Sequence, residues 1–311
     1  MSSPTFEVLI LGSSSATPAG ERNQTAQLIN VSERYLLIDC GEATQIQLRK
    51  FKAKFQRIDH IFISHLHGDH FFGLPGLLGS MHLLGRTNPL TIYGPPELPN
   101  LINAIHKASD SYLNYEINWV TTKNDKEYLL FEDDKIEVYS FPLQHRIFCT
   151  GFLIKEKPYL RKIDKFLMDK NNISIAEINN LRAGKDVKNE NGETINNSEV
   201  TIDPLKHRSY AYCSDTLYNE EIVKHIQSVD ALYHESTFLE DKKDRAKQTY
   251  HSTAKQAAQI AKLANVGKLL LGHYSARYGN LELFKEEAST VFLNTELTKE
   301  GTVISIPHGE W

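Results

Sequence analysis

Residues 58–64 form a mostly apolar, β-branched run that reads as a buried strand, and the run ends directly on His65-Leu66-His67-Gly68-Asp69-His70. On a strand, imidazoles at i and i+2 point to one side. Gly68 lets the backbone turn tightly, and Asp69 and His70 follow in the loop. Three imidazoles and a carboxylate so close together suit a divalent cation such as zinc, which takes N and O ligands in four- or five-coordinate sites. The crowding points to two ions, one held by the first histidine pair and one by Asp69 and His70. A pair about 3.5–4 Å apart stabilises both attacking and leaving oxygens. Such a site needs further ligands, and these are expected from the ends of other strands.

Three residues occupy that place. His145 follows the strand 138–141, Asp215 follows 210–214, and His273 follows 269–271 and Gly272. His60, His82, His106, His207 and His225 read as ordinary exposed or hydrogen-bonded side chains. Around these points the pattern gives strands at 6–12, 26–31 and 35–38, a helix at 43–51, a strand from Leu90 stopped by Pro95-Pro96, a helix at 98–107 and a strand at 135–141. A second series follows: strand 210–214, helix 219–227, strand 231–233, helix 253–263, strand 268–271, helix 281–292 and strand 302–306. Strands flanked by helices, given twice, predict an α/β fold of two packed sheets with helices outside. The apolar run 71–78, continued by Met81 and Leu84, suits either core or a subunit interface.

The 311 residues are 41% hydrophobic, enough for a sizeable core. A formal net charge of −4 means that any nucleic-acid contact has to be a local patch. Three scattered cysteines, Cys40, Cys149 and Cys213, argue against a disulfide framework and for a reducing compartment. The N-terminus lacks the pattern of a signal peptide, and no apolar stretch approaches a membrane span; the expectation is a cytoplasmic, soluble protein. Residues 155–203 break the alternation. Their first part, 155–170, carries six Lys/Arg against three Asp/Glu, and 171–203 reverses that to three against six. This reads as either a solvated insertion or an arm whose basic part touches a polyanion.

HLHGDH, with Asp39-Cys40-Gly41 before it and Asp215 and His273 after it, resembles the metallo-β-lactamase superfamily. The extended run from Ser64 through Phe71-Phe72-Gly73-Leu74-Pro75-Gly76 to Leu78 is similar to the signature of the ribonuclease Z family. So are Tyr93-Gly94-Pro95-Pro96, Ser214-Asp215-Thr216, His234-Glu235-Ser236-Thr237, His251-Ser252-Thr253 and the segment Gly272-His273-Tyr274-Ser275-Ala276-Arg277-Tyr278. The resemblance implies one metallo-β-lactamase-like domain over 1–311, a four-layer αββα sandwich, with a flexible tRNA-binding arm inserted at 155–205. It implies two Zn²⁺ per chain (Mn²⁺ or Fe²⁺ also suit such ligands): one on His65, His67 and His145, the other on Asp69, His70 and His273, with Asp215 bridging. It implies further that Asp69 is the base that orients or deprotonates the attacking water, that Glu235 and His251 form the acid pair, and that precursor tRNA loses its 3′ trailer. A homodimer is implied as well. Arg277, Lys157, Arg161 and Lys162 are the expected substrate contacts. The Gly-Pro-rich tip of many bacterial arms is absent; Asn172-Ile173-Ser174-Ile175 stands near where it would be.

His251 opens the helix 253–263, whose dipole depresses a histidine pKa, while Glu235 opposes that. Two other readings stand beside this one. A small-molecule metallohydrolase (a phosphodiesterase, thioesterase or lactonase) would share the metal ligands but has no use for the HEST and HST segments or the arm. An inactive RNA-binding or partner subunit would have lost ligands, and here the whole set is in place.

Overall fold

The computed structural model describes residues 4–309. The first three residues, part of the N-terminal stretch read above for a signal, lie outside that range, as do the last two. Contacts divide the chain into two units, 1–155 with 208–311, and 156–207.

The larger unit holds fourteen strands in two seven-stranded sheets. The first sheet contains β1 (Phe6–Gly12), β2 (Ala26–Val31), β3 (Arg34–Ile38), β4 (Ile58–Phe62), β5 (Leu90–Gly94) and β6 (Ile117–Thr121). The second contains β7 (Tyr128–Glu132), β8 (Ile136–Pro142), β9 (Thr150–Glu156), β10 (Ser209–Cys213), β11 (Ala231–Glu235), β12 (Lys268–Gly272) and β13 (Thr295–Leu297). The last strand, β14 (Val303–Ser305), returns to the first sheet beside β1. Both sheets are mixed. In the first, β3 to β6 run parallel; in the second, β10 to β13 do. Parallel neighbours end on the same rim, where ligands of open α/β sheets gather.

Three apolar layers hold this unit together. Between the sheets, Phe6, Ile29, Phe62, Phe152, Tyr210 and Tyr233 are buried in one cluster. A second cluster packs β1 to β5 against helices α1 (Thr44–Lys50), α3 (Leu74–Leu83) and α4 (Leu98–Ala108); a short turn, α2 (Gly68–Phe71), precedes α3. A third packs the second sheet against α6 (Ala254–Leu263) and α7 (Glu282–Ser289), with α5 (Lys243–Gln248) preceding them. Helix, sheet, sheet, helix is the predicted four-layer order. Each fully buried Leu, Ile or Phe side chain contributes roughly 1.5–3 kcal/mol.

Two expectations change, and one open choice is decided for most of its residues. The segment 219–227 is not α-helical but a 3₁₀ turn over Glu220–His225. Asp69 and His70 lie on the helical turn α2 rather than in a loop. Most of the apolar run 71–84 is core, since Phe71, Leu74, Leu77, Leu78 and Met81 are buried, and only Phe72, Leu83 and Leu84 stand exposed.

The smaller unit is folded rather than a solvated loop. Met168, Ile173, Leu181, Val187 and Val200 form its own core, ringed by the short helices Lys165–Lys170, Ile178–Arg182 and Asn197–Val200. Arg161 is bound into it, with Nη1 2.5 Å from Asp203 Oδ1 and Nε donating to Thr201 Oγ1 at 2.7 Å. Lys162 pairs with Ile202 across a two-residue ladder. Ile173 belongs to the buried core, whereas Ile175 two residues on is exposed.

Candidate active site

The site forms where strand ends converge. His65 and His67 leave β4, Asp215 leaves β10, Glu235 ends β11, and His273 follows β12. His145 comes three residues after β8. The seven expected metal ligands all meet, in two groups.

In the first, His67 Nδ1 lies 3.1 Å from both His65 Nε2 and His145 Nε2. Asp215 Oδ2 is 3.6 Å from the first of these and 3.9 Å from the second. In the second group, His70 Nε2 and His273 Nε2 face each other at 3.3 Å. Asp69 Oδ2 lies 3.6 and 3.4 Å from them, and Asp215 Oδ1 3.3 and 3.1 Å. Asp215 thus offers one oxygen to each group, as a bridging carboxylate does.

The donor set fits divalent metal on this chain's own features. Asp215 is buried, and its Oδ1 has no well-formed hydrogen bond. Two ring nitrogens aimed at each other are stable only with a cation or a proton between them. Burial, with His70 next to it, holds His65 well below the usual range. Burial and His145 bring His67 down to about 4. At His70 burial is outweighed by Asp215, Asp69 and Asp39, which hold it well above the usual range. The carboxylates around His70 supply the negative charge that a divalent cation held here would meet.

The far ring nitrogens are fixed from behind, as metal-binding histidines require. His70 Nδ1 meets Asp39 Oδ2 at 2.7 Å. Asp39 also accepts from Ser64 N and from the Tyr212 hydroxyl, at 2.8 and 2.7 Å. His273 Nδ1 meets Thr237 Oγ1 at 2.8 Å, and His145 Nδ1 meets Tyr250 O at 3.0 Å. Sequence reading named Asp39, Ser64 and Thr237 only as parts of motifs and passed over Tyr212. Nothing local marks a supporting residue; the signal available was a polar side chain on an otherwise apolar strand end.

Gly68 has a different role from the one expected. A Cβ there would stand 2.2 Å from the Phe72 ring, so the glycine admits that ring rather than a special turn.

Beside the ligands stands the second pair. His251 Nδ1 is 2.9 Å from Glu235 Oε1 and 3.9 Å from Asp215 Oδ2. Glu235 is buried and accepts from Thr216 N at 3.1 Å and Thr237 N at 3.0 Å. Burial opposes charge on His251, but Glu235 outweighs it and lifts the imidazole to about 9. The direction is opposite to the depression expected from the helix N-terminus. Thr253, two residues on, caps α6 reciprocally with Gln256, which fixes where His251 enters.

The ligands open on a cleft of about 540 Å³, and Arg146, Arg245 and Arg277 line it. Arg146 Nη2 is 3.2 Å from His67 Nε2. Arg277 lies over the Phe238 ring at 5.1 Å, with Nε donating to Ser275 Oγ at 3.1 Å. The three arginines make a local basic patch on an acidic chain. Arg277 was expected there; Arg146 and Arg245 were missed, having no motif around them. Lys157, Arg161 and Lys162 belong to the smaller unit.

These strand ends and ligand groups define a metallohydrolase site on a metallo-β-lactamase fold. The solved metallo-β-lactamase fold protein YhfI of Bacillus subtilis has that fold at 19% identity, with a TM-score of 0.68, covering 97% of this chain and 100% of that one. A family profile described as anti-Pycsar protein Apyc1 matches residues 6–159, which carry the first histidines but not Asp215, Glu235, His251 or His273. Over nearly the whole length the likeness is to another group. The chain is 50% identical over 298 residues to ribonuclease Z of Cytophaga hutchinsonii, covering 96% of this chain and 95% of that protein. Human short-form tRNase Z has a TM-score of 0.70 at 30% identity, covering 97% and 99%. The chain belongs to the ribonuclease Z family.

Proposed function

We propose that this chain is a zinc-dependent endoribonuclease that removes the 3′ trailer of precursor tRNA. Hydrolysis falls 3′ of the discriminator nucleotide and leaves a 3′-hydroxyl on the tRNA and a 5′-phosphate on the trailer. The observation that carries this is the buried Glu235–His251 pair, 2.9 Å apart, set beside a complete double ligand group.

His65, His67 and His145 would hold one ion, Asp69, His70 and His273 the other, and Asp215 both. When bound, a zinc pair supplies an activated water and neutralises charge on the phosphate. The chain's own groups do the rest. His251 keeps Nδ1 on Glu235, which leaves Nε2–H to protonate the departing alkoxide. Glu235 fixes the ring and stabilises its charge, as the carboxylate of a catalytic triad does. Asp69, whose carboxyl His70 and His273 hold low against the effect of burial, is a poor base; it orients water by accepting a hydrogen bond. Arg277 and Arg146 hold phosphate oxygens at the cleft wall. The unit at 156–207 is the tRNA-binding arm, with Lys157 and Lys162 among its cations. Arg161 serves that surface by bracing it.

The three cysteines are free and buried, which suits a reducing cytoplasm. Among the described residues, no helix is long and apolar enough to cross a membrane. Association as a homodimer belongs to the same reading, and the exposed apolar side chains Leu83 and Leu84 at the end of α3 support it.

The test is turnover of a zinc-loaded preparation on trailer-bearing tRNA and on a small phosphodiester. Cleavage of the tRNA at one position supports the proposal. Hydrolysis of the small ester alone returns the chain to the small-molecule metallohydrolases.

A further inference from the structure

The segment between β1 and β2 reaches the ligand cluster through a strained turn. Ala16 is exposed and sits at φ 54°, where residues other than glycine are uncommon. In that conformation its N–H donates to Asp69 Oδ2 at 2.6 Å. This is the Asp69 oxygen that faces His70 Nε2 and His273 Nε2.

What keeps Ala16 there is Gln24. Its Nε2 donates to Ala16 O at 2.9 Å, and its Oε1 accepts from Glu42 N at 3.0 Å. Both ends of the carboxamide are used, so its orientation is fixed. Gln24 is buried, and two glycines let its segment press in. A Cβ at Gly12 would stand 1.7 Å from Gln24 O, and one at Gly41 would stand 2.7 Å from Gln24 Cβ and 2.5 Å from Asp69 O. Glu300 pins the preceding residue, accepting from Asn23 Nδ2 at 2.9 Å. The same turn is tied to the neighbour of His273, because Tyr274 N donates to Ser13 O at 2.9 Å and Ser15 N to Tyr274 O at 3.0 Å.

We infer that Gln24 is a positioning residue of the metal centre. Its carboxamide holds Ala16 in the left-handed turn, aims the Ala16 N–H at Asp69 Oδ2, and so sets how Asp69 presents that oxygen to the ion shared with His70 and His273. The inference rests on the two-metal reading above. Strained turns persist only where their surroundings over-determine them, and groups behind a ligand tune metal affinity.

The test is chelator-competition titration of zinc on the full chain, read as the affinity of each ion rather than as turnover. Gln24→Met should weaken one ion by about 10- to 100-fold and leave the other. Adding Ala16→Gly should recover most of that loss, since glycine takes this φ unaided. Should Gln24→Met fail to fold, Gln24→Glu takes its place with the same expectation; it keeps the acceptor for Glu42 N and loses the donor to Ala16 O. Unchanged affinities, equal weakening of both ions, or no recovery with Ala16→Gly overturns the inference. If the affinities behave as expected but no precursor RNA is cut, the functional reading falls and this one stands.

Discussion

His251 departs from the free amino acid in the direction that suits a proton donor. Its imidazole is lifted from 6.5 to about 9 because Glu235 outweighs burial. A folded value above the unfolded one stabilises the fold fully below pH 6.5, and the stabilisation is lost as pH rises through about 9. By linkage it amounts to roughly 3 kcal/mol. Denaturant titrations of metal-free protein at pH 6 and pH 10 check this, because Glu235→Gln should shrink the difference between the two by about that amount, leaving the part that His70 contributes. For turnover, His251→Ala should cost about 10²- to 10⁴-fold in kcat with zinc content unchanged; full activity would withdraw the acid role. Much of this was legible in the sequence, because ligands and acid pair sit in short motifs at strand ends. The sign of the His251 shift was not. It depends on the 2.9 Å contact between residues sixteen apart in sequence, which the balance of dipole and carboxylate cannot supply without coordinates.

At the scale of elements, the strand ends were read well and the turns poorly. Strands β1 to β5 and β10 to β12 follow from apolar runs, and α6 was read at 253–263, one residue from its observed start. The strands β6, β7, β9 and β13 were not separately located, and α2 was taken for a loop, because four residues are too few for a periodicity. The cap of α6 matters beyond its helix. Thr253 satisfies Gln256 N and also donates to Glu240 Oε2 at 2.8 Å. Thr253→Ala should destabilise the fold by about 1 kcal/mol, measured by thermal or urea unfolding. Loss of activity well beyond the loss of folded protein would show that the cap also aims His251.

For the whole molecule, the insertion tests how function divides between the units. Lys155 lies opposite Ser209 in the antiparallel pairing of β9 and β10, so the chain leaves and re-enters the larger unit at adjacent positions. A tight turn can close that gap. Removing 157–203 should leave hydrolysis of a small phosphodiester within a few fold and weaken tRNA binding, with a shallower salt dependence. Unchanged tRNA affinity would refute the arm. The charge reversal along 155–203 was visible in the sequence; the core around Leu181 was not, because its apolar residues are scattered among polar ones. The central claim is tested most directly by mapping both product ends after zinc-loaded protein cuts a trailer-bearing tRNA. The account predicts a single cut after the discriminator nucleotide, with a 3′-hydroxyl on the tRNA and a 5′-phosphate on the trailer. No cleavage with zinc bound, or a cyclic phosphate at the new 3′ end, would contradict it.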